Sequence, residues 1–347
     1  MNSSAVNLSE LLTRRLEPPF RAPPIESLNL DWCDEYGIEF KVLRLDLIHP
    51  LLGGNKWFKL KHNILAAREL GKHTILSFGG AYSNHLRALA AAGNLFGIRT
   101  IGLVRGELVQ PLNPVLEFAQ NQGMDLFSID RQTYSLKHTE QFASSLHKRF
   151  GDFHIVPEGG SNDLGIQGCS EILDLIPLQS VRKNTVIAMA CGTGTTLSGL
   201  ILAAMKRRKN SLNFLGISVL KAKDYLQEEV AAKLIDSVLE KKLRPIPWQV
   251  IDRFHGGGYG KVSKDLKHFV EEWNRQTRFS IEPVYTGKLF WGLKELIKAG
   301  EIPRGAEIIA IHTGGGALTY CTLLHSMQKY MRMERYSLKQ AVGDCKI

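Results

Sequence analysis

The sequence predicts an α/β protein built on two open, twisted, mostly parallel sheets flanked by helices. Three observations carry that expectation. From Lys56 onward, short apolar runs of strand length alternate with longer amphipathic runs of helical length, the order in which a parallel sheet crosses over through helices. The alternation falls into two series, one closing near Val156 and one opening near Thr185. At 347 residues the chain is too long for one small core, and two domains suit it better.

In chain order, Leu60, Ile64 and Leu65 recur at helical spacing and predict a helix over 60–70. The apolar run Thr74-Ile75-Leu76 begins a strand over 74–78. The first series continues with helix 86–95, strand 100–104, helix 114–122 (entered through Pro114), strand 125–129, helix 139–150 and strand 154–156. The second runs strand 185–190, helix 196–206, strand 213–219, helix 225–240 and strand 308–311. No repeat of solenoid period stands out. The first ~40 residues, with Pro18, Pro19, Pro23 and Pro24, read as a wrapping arm rather than a domain.

Composition bounds the function. Hydrophobic content of 44% with 22% charged residues is ordinary for a soluble globular chain. No basic stretch followed by an apolar one opens the sequence, so no secretory signal is read. The uncharged run 184–205 is long enough to raise a membrane question, but its centre, Gly192-Thr193-Gly194-Thr195-Thr196, suits strand, polar turn and helix better. The formal charge of +10 raises nucleic acid. Its clusters, Lys206-Arg207-Arg208-Lys209 and Lys241-Lys242-Leu243-Arg244, are short, lack interleaved aromatics and read as solvated helix ends. The five cysteines are odd in number, scattered and without metal spacing, which fits a reducing cytosol and no metal site.

Four segments carry chemistry. In Gly53-Gly54-Asn55-Lys56-Trp57-Phe58-Lys59 a lysine follows two glycines, residues kept where the chain turns tightly or nears a ligand. A lysine so held and desolvated can form an imine with an aldehyde. In Ser77-Phe78-Gly79-Gly80-Ala81-Tyr82-Ser83-Asn84-His85 a glycine turn leads into a helix whose start would receive a substrate carboxylate, though Ser83 also suits a helix cap. Gly192-Thr193-Gly194-Thr195-Thr196 follows a strand and opens a helix, a cup for a phosphate. It is neither a Walker loop nor a dinucleotide fingerprint. Last come Tyr259 in a run of glycines, Tyr285-Thr286 and His312-Thr313-Gly314-Gly315. The tyrosines offer stacking faces and hydroxyls for proton traffic.

Taken in this order, the motifs resemble the pyridoxal-phosphate enzymes of the tryptophan-synthase-β-like superfamily, fold type II, and within it the 1-aminocyclopropane-1-carboxylate (ACC) deaminase and D-cysteine desulfhydrase family. The resemblance runs from about Leu43 to Leu324. It implies pyridoxal 5'-phosphate as cofactor, Lys56 as the Schiff-base lysine and Lys59 facing the phosphate. It also implies a cofactor contact from Asn84, substrate contacts from Ser83, Asn84, His85 and Thr313, and a catalytic part for Ser83. Tyr259 and Tyr285 match the family's two active-site tyrosines. Thr286 stands where ACC deaminases carry a glutamate facing the pyridine nitrogen and the desulfhydrases a hydroxyl residue; Thr313 stands where the deaminases have leucine. Both positions favour β-elimination, with D-cysteine giving pyruvate, sulfide and ammonia. ACC deamination is second and dehydration of serine or threonine third. The resemblance further implies a small domain over 57–157 inserted into a large one (1–56 and 158–347), a pocket in the cleft between them, a homodimer and a cytoplasmic amino-acid enzyme. Two departures stand out. His85 replaces a frequent glutamine, and Trp57-Phe58 replaces a Thr-Arg pair. The second would place bulky apolar surface beside the cofactor. It opens a reading of another class, a non-catalytic protein that only holds the cofactor.

Overall fold

A computed structural model of the chain describes residues 21–314. The strands are β1 (Ile25–Leu28), β2 (Glu39–Arg44), β3 (Thr74–Gly79), β4 (Arg99–Arg105), β5 (Met124–Ile129), β6 (His154–Val156), β7 (Thr185–Cys191), β8 (Leu212–Ser218), β9 (Trp248–Ile251) and β10 (Glu307–His312). They form two sheets. A six-stranded sheet has the order β1-β2-β10-β7-β8-β9, and a four-stranded one the order β5-β4-β3-β6. Every pairing is parallel except that of the edge strand β1, which lies antiparallel to β2.

Alternation of side chains across each strand fixes where the core lies. In β7, Ile187, Met189 and Cys191 face one apolar cluster, while Val186, Ala188 and Ala190 face another. In β3, Ile75 joins the first of these clusters and Leu76 and Phe78 join a third. One core is therefore shared by both sheets, and each sheet has a second core on its far face. Strands buried on both faces read as continuous apolar runs, which is why β3, β4, β7 and β8 were visible in the sequence.

The helices are α1 (Asp31–Asp34), α2 (Asn55–Glu69), α3 (Asn84–Phe96), α4 (Pro114–Asn121), α5 (Arg131–Ser135), α6 (Glu140–Phe150), α7 (Asp163–Ser170), α8 (Thr195–Lys206), α9 (Tyr225–Lys241), α10 (Lys264–Gln276) and α11 (Thr286–Lys298). The expected helix over 60–70 starts earlier, at Asn55, so Lys56 sits in its first turn. Packing of Trp57 and Phe58 drives the extension: both are buried, and Trp57 leans on Phe96 with ring centroids 5.7 Å apart. The wrapping-arm reading is corrected from Ile25 onward, because β1 is an edge strand held by the full register Ile25–Leu43 to Leu28–Phe40. The uncharged run 184–205 is a strand, a turn and a helix, and no helix among the described residues is long and apolar enough to cross a membrane.

Candidate active site

Lys56 is held by a turn gripped from three sides. Gly54 caps α2 with φ +87° and no side-chain bond. Its N–H donates to the Leu45 carbonyl (2.7 Å), and the Asn55 N–H donates to that of Thr313 (3.2 Å) at the end of β10. A Cβ on Gly54 would stand 2.0 Å from the Thr313 oxygen, so only glycine allows this approach. Asn55 Nδ2 donates to Thr196 Oγ1 (2.9 Å), tying the turn to α8. Lys56 Nζ donates to Asn55 Oδ1 at 3.3 Å. Burial, helped by repulsion from Lys59, pulls its ammonium down to about 7. A desolvated amine of that pKa has a large neutral, nucleophilic fraction at physiological pH.

One turn along, Lys59 Nζ donates to Thr193 Oγ1 (3.2 Å), and burial lowers its pKa as well. The Gly192–Thr196 segment leaves β7 and enters α8 through Gly194, whose φ is +71° and which brings no side-chain cap. The first amides of α8 thus lack a capping side chain, beside a buried lysine and a hydroxyl. That donor set fits a phosphate dianion. Thr195 is not on the cavity wall but braces it: its hydroxyl meets Thr193 and donates to Ser161 Oγ, both at 2.9 Å. The loop after β6 closes the cup. Gly159 and Gly160 both take positive φ, and a Cβ on Gly160 would meet the Lys59 stem at 2.9 Å.

Across a cavity of about 680 Å³ stands the start of α3. Ser83 is its N-cap, accepting the Leu86 N–H at 3.2 Å, so the capping role holds while Ser83 and Asn84 also line the cavity. His85 lines it too. The single Ser77 hydroxyl proton goes to the Val156 carbonyl (2.7 Å), so His85 Nε2 is the donor in its 2.9 Å contact with Ser77. Burial holds this ring neutral, well below the usual histidine range, which leaves Nδ1 a buried acceptor with no hydrogen-bond partner.

Tyr285 donates to the Tyr259 hydroxyl at 3.1 Å, and both line the cavity. Burial and the neighbouring phenol push the Tyr285 pKa well up, so it remains a proton donor at any working pH. Tyr259 rides on a loop whose Gly256, Gly257 and Gly258 all have positive φ. Lys288, fully buried on α11, supports this loop by donating to the Gly258 carbonyl at 2.8 Å and to that of Val219 at 3.3 Å.

The cavity brings together Lys56, Lys59, Ser83, Asn84, His85, Gly192, Thr193, Gly194, Thr196, Tyr259, Tyr285 and Thr313. Two expected members stand behind its wall, Thr195 and Thr286. Thr286 is fully buried and engaged with Glu282, whose carboxylate also accepts the N–H groups of Val284, Tyr285 and Thr286 at 2.6–3.2 Å. Glu282 caps α11, and the threonine hydroxyl belongs to that cap rather than to the wall. Trp57 and Phe58 are also absent from the wall: they pack into the shared core. The expectation that they crowd the cofactor is thereby corrected. They lie on α2 faces turned away from Lys56.

Sequence reasoning missed Asn55, Arg87, Arg105, Lys137, Glu158 and Ser161, all on the wall. Asn55 had a visible signal in the Gly53-Gly54 turn that it follows, and Glu158 and Ser161 had one in the Gly159-Gly160 turn after a strand. Gly315 of the last motif, with Cys321 and Cys345, lies outside the described residues. Cys33, Cys169 and Cys191 are buried free thiols.

Residues 18–314 match the family described as "Pyridoxal-phosphate dependent enzyme". The chain is 30% identical over 290 residues to a "Putative 1-aminocyclopropane-1-carboxylate deaminase" of Pyrococcus abyssi, covering 81% of this chain and 86% of that one. It is 29% identical over 311 residues to the "Bifunctional D-cysteine desulfhydrase/1-aminocyclopropane-1-carboxylate deaminase, mitochondrial" of Arabidopsis thaliana, covering 84% and 76%. Its fold matches the crystal structure of an "ACC deaminase homologue" with TM-score 0.74 at 24% identity, over 90% of this chain and 98% of that one. With the amine, the phosphate cup and the α3 start on one cavity, these similarities have one meaning: the chain belongs to the pyridoxal-phosphate-dependent enzyme family.

Proposed function

We propose that the protein carries out β-elimination from a small amino acid with a good leaving group, with D-cysteine to pyruvate, sulfide and ammonia as the first case to try. The observation that carries the reading is Lys56: a desolvated amine beside the phosphate cup, facing the Ser83–Asn84 helix start across the cavity. When bound, pyridoxal phosphate supplies an aldehyde for amines and a ring that withdraws electrons from the substrate Cα. Lys59, Thr193 and the first amides of α8 hold its phosphate. The α3 start, with Ser83 and Asn84, receives the substrate carboxylate. The Lys56 amine, once displaced, takes the Cα proton; the bond from Cβ to its substituent breaks and that substituent leaves with the electron pair. Tyr259 accepts the Tyr285 hydroxyl proton at 3.1 Å, which leaves its own proton free, and it is placed to protonate the leaving group. The released enamine takes up water and yields the keto acid and ammonia.

The only carboxylates on the wall among the described residues, Glu158 and Glu229, sit near Lys137 and Lys233, at 3.5 and 2.6 Å. The hydroxyl residue on the wall at the β10 end is Thr313. A neutral partner there favours a substrate that needs only modest electron withdrawal. ACC deamination is the second reading, favoured by the name of the 30%-identical relative. Burial of Trp57 and Phe58 removes the ground for a non-catalytic holder. We place the small domain at 57–157 and the protein in the cytoplasm as a homodimer, on family resemblance and the free thiols.

The test is direct. The purified protein is expected to be yellow, to lose that band on borohydride reduction and to carry the label on Lys56. Keto-acid release is then screened over D- and L-amino acids and ACC. A colourless protein that takes up no cofactor refutes the class, and turnover of ACC but not D-cysteine refutes the ranking.

A further inference from the structure

The wall of the cavity carries more positive charge than the cofactor phosphate and one α-carboxylate consume. Six basic side chains line it, Lys56, Lys59, Arg87, Arg105, Lys137 and Lys233, against Glu158 and Glu229. Lys59 is taken by the cup, Lys56 by the cofactor aldehyde, and Lys233 pairs with Glu229 at 2.6 Å. Arg87, Arg105 and Lys137 remain. They cluster where the small sheet ends: Arg105 closes β4, Arg87 lies one turn beyond Asn84 on α3, and Lys137 follows α5.

Arg87 and Lys137 are half-buried, whereas Arg105 is exposed at the cavity mouth. The Arg105 guanidinium and Lys137 Nζ lie 5.5 and 4.8 Å from the centroid of the one Tyr134 ring, and a Cβ on Gly80 would be 3.8 Å from Arg105 Nη2. The aromatic ring and the Gly79–Gly80 turn thus hold two cations at the substrate side. Deeper in, the Arg87 guanidinium stacks on Phe118 at 4.7 Å, and its Nη2 is buried without a hydrogen-bond partner. A buried guanidinium donor left unpaired costs free energy that an incoming anion relieves. Glu158, 3.5 Å from Lys137, offsets one of the three charges.

We infer that the natural substrate is an amino acid whose side chain bears a second negative charge, received by Arg105 and Lys137 at the mouth and Arg87 behind them. The inference rests on the reading above that the α-carboxylate goes to the α3 start. It narrows the substrate to an acidic one, with D-cysteine a neutral surrogate for it.

Aspartate and asparagine differ in little but this charge, which makes them the probe. Each enantiomer of both is titrated into the cofactor-loaded enzyme, and binding is read from the shift of the cofactor absorption band. In at least one hand, aspartate is expected to bind ten-fold or more tighter than asparagine. The Arg105→Gln/Lys137→Gln pair, both at the cavity mouth, is expected to cut that ratio at least ten-fold. Arg87→Gln should cut it further if the variant folds. Equal affinity for aspartate and asparagine in both hands overturns the inference, as does an equal loss for both ligands in the double variant. Absence of any band shift with a full amino-acid panel overturns instead the elimination reading, and this inference with it.

Discussion

Helix α2 lies between two glycines of positive φ, Gly54 at +87° and Gly71 at +67°. Alanine at Gly54, whose ψ of −170° lies in a region essentially reserved for glycine, incurs strain of about 1–3 kcal/mol; alanine at Gly71 incurs left-handed strain of about 1–2 kcal/mol. At Gly71 that is the whole cost, because a Cβ there meets nothing within 4 Å. At Gly54 the Cβ would stand 2.0 Å from the Thr313 oxygen and 2.7 Å from its carbon, where C–H···O contacts normally begin at about 3.3 Å. Backbone must part from backbone by more than about 1 Å, since neither partner is a side chain that can swing aside. Parting breaks the 3.2 Å bond from the Asn55 N–H to Thr313 and leaves buried groups unpaired at about 1–3 kcal/mol. Gly54→Ala should therefore cost about 2–6 kcal/mol against about 1–2 for Gly71→Ala. It should also move Lys56, and a misplacement near 1 Å costs ~100-fold in rate. Urea unfolding of the cofactor-loaded protein and the intensity of its absorption band measure the two effects. If Gly54→Ala matches Gly71→Ala in stability and keeps the full band, the grip of Thr313 on the lysine turn is not what positions Lys56.

Lys59→Met, which removes the charge beside Thr193, is expected to weaken cofactor affinity about 10–100-fold; equilibrium dialysis checks it, and an unchanged affinity removes Lys59 from the phosphate cup. Lys56 and Lys288 have pKa values lowered to about 7 and 8 from 10.5. The unfolded chain thus holds protons that the fold has released, and the cofactor-free protein should grow more stable as pH rises from 7 to 9. Urea midpoints at the two pH values test the sign. Thr286→Glu is expected to destabilise by about 3–5 kcal/mol with no gain of ACC turnover, because it buries a second carboxylate against Glu282. A stable variant that opens ACC would restore Thr286 to the cofactor.

Legibility followed burial. Strands β3 to β8 lie within a residue or two of their expected limits, and in β3, β4, β7 and β8 two-sided burial writes near-unbroken apolar runs into the sequence. β2 escaped because Glu39 and Lys41 interrupt it; their charges are paired in the fold, Lys41 with Glu39 at 2.7 Å and with Glu307 at 2.6 Å. α10 was readable but passed over: Ser263 caps it, and Leu266, Phe269, Val270 and Trp273 keep the helical period on its buried face. In the site, glycine-flanked segments announced themselves, as Gly54 and Gly192 did. Arg87 and Arg105 did not, since an ordinary polar residue on a helix or at a strand end becomes part of a site only through what folds opposite it. Thr286 went the other way: its neighbour Tyr285 lines the cavity, but the Glu282 cap rotates the threonine behind it.

The two halves of the cavity differ in how they are held, and that difference bears on how the chemistry can vary. The proposed cofactor half is built from close approaches that leave no room for a side chain: Gly54 on the Thr313 carbonyl, Gly160 on the Lys59 side-chain stem, and Gly168 on the Phe58 carbonyl, where an added Cβ would fall at 1.8 Å. Any substitution there moves whole elements, so Lys56 and Lys59 keep their places only while those glycines remain. The facing half is made of side chains on the carboxyl ends of the small sheet and on α3. Arg105 and Lys137 rest on one ring, and each can be exchanged without displacing a strand. On the proposed reading, substrate choice is free to drift through Arg105, Lys137 and His138, which lines the same wall, while the cofactor grip stays fixed. Exchanging those three should change which amino acid binds and leave the cofactor absorption band alone.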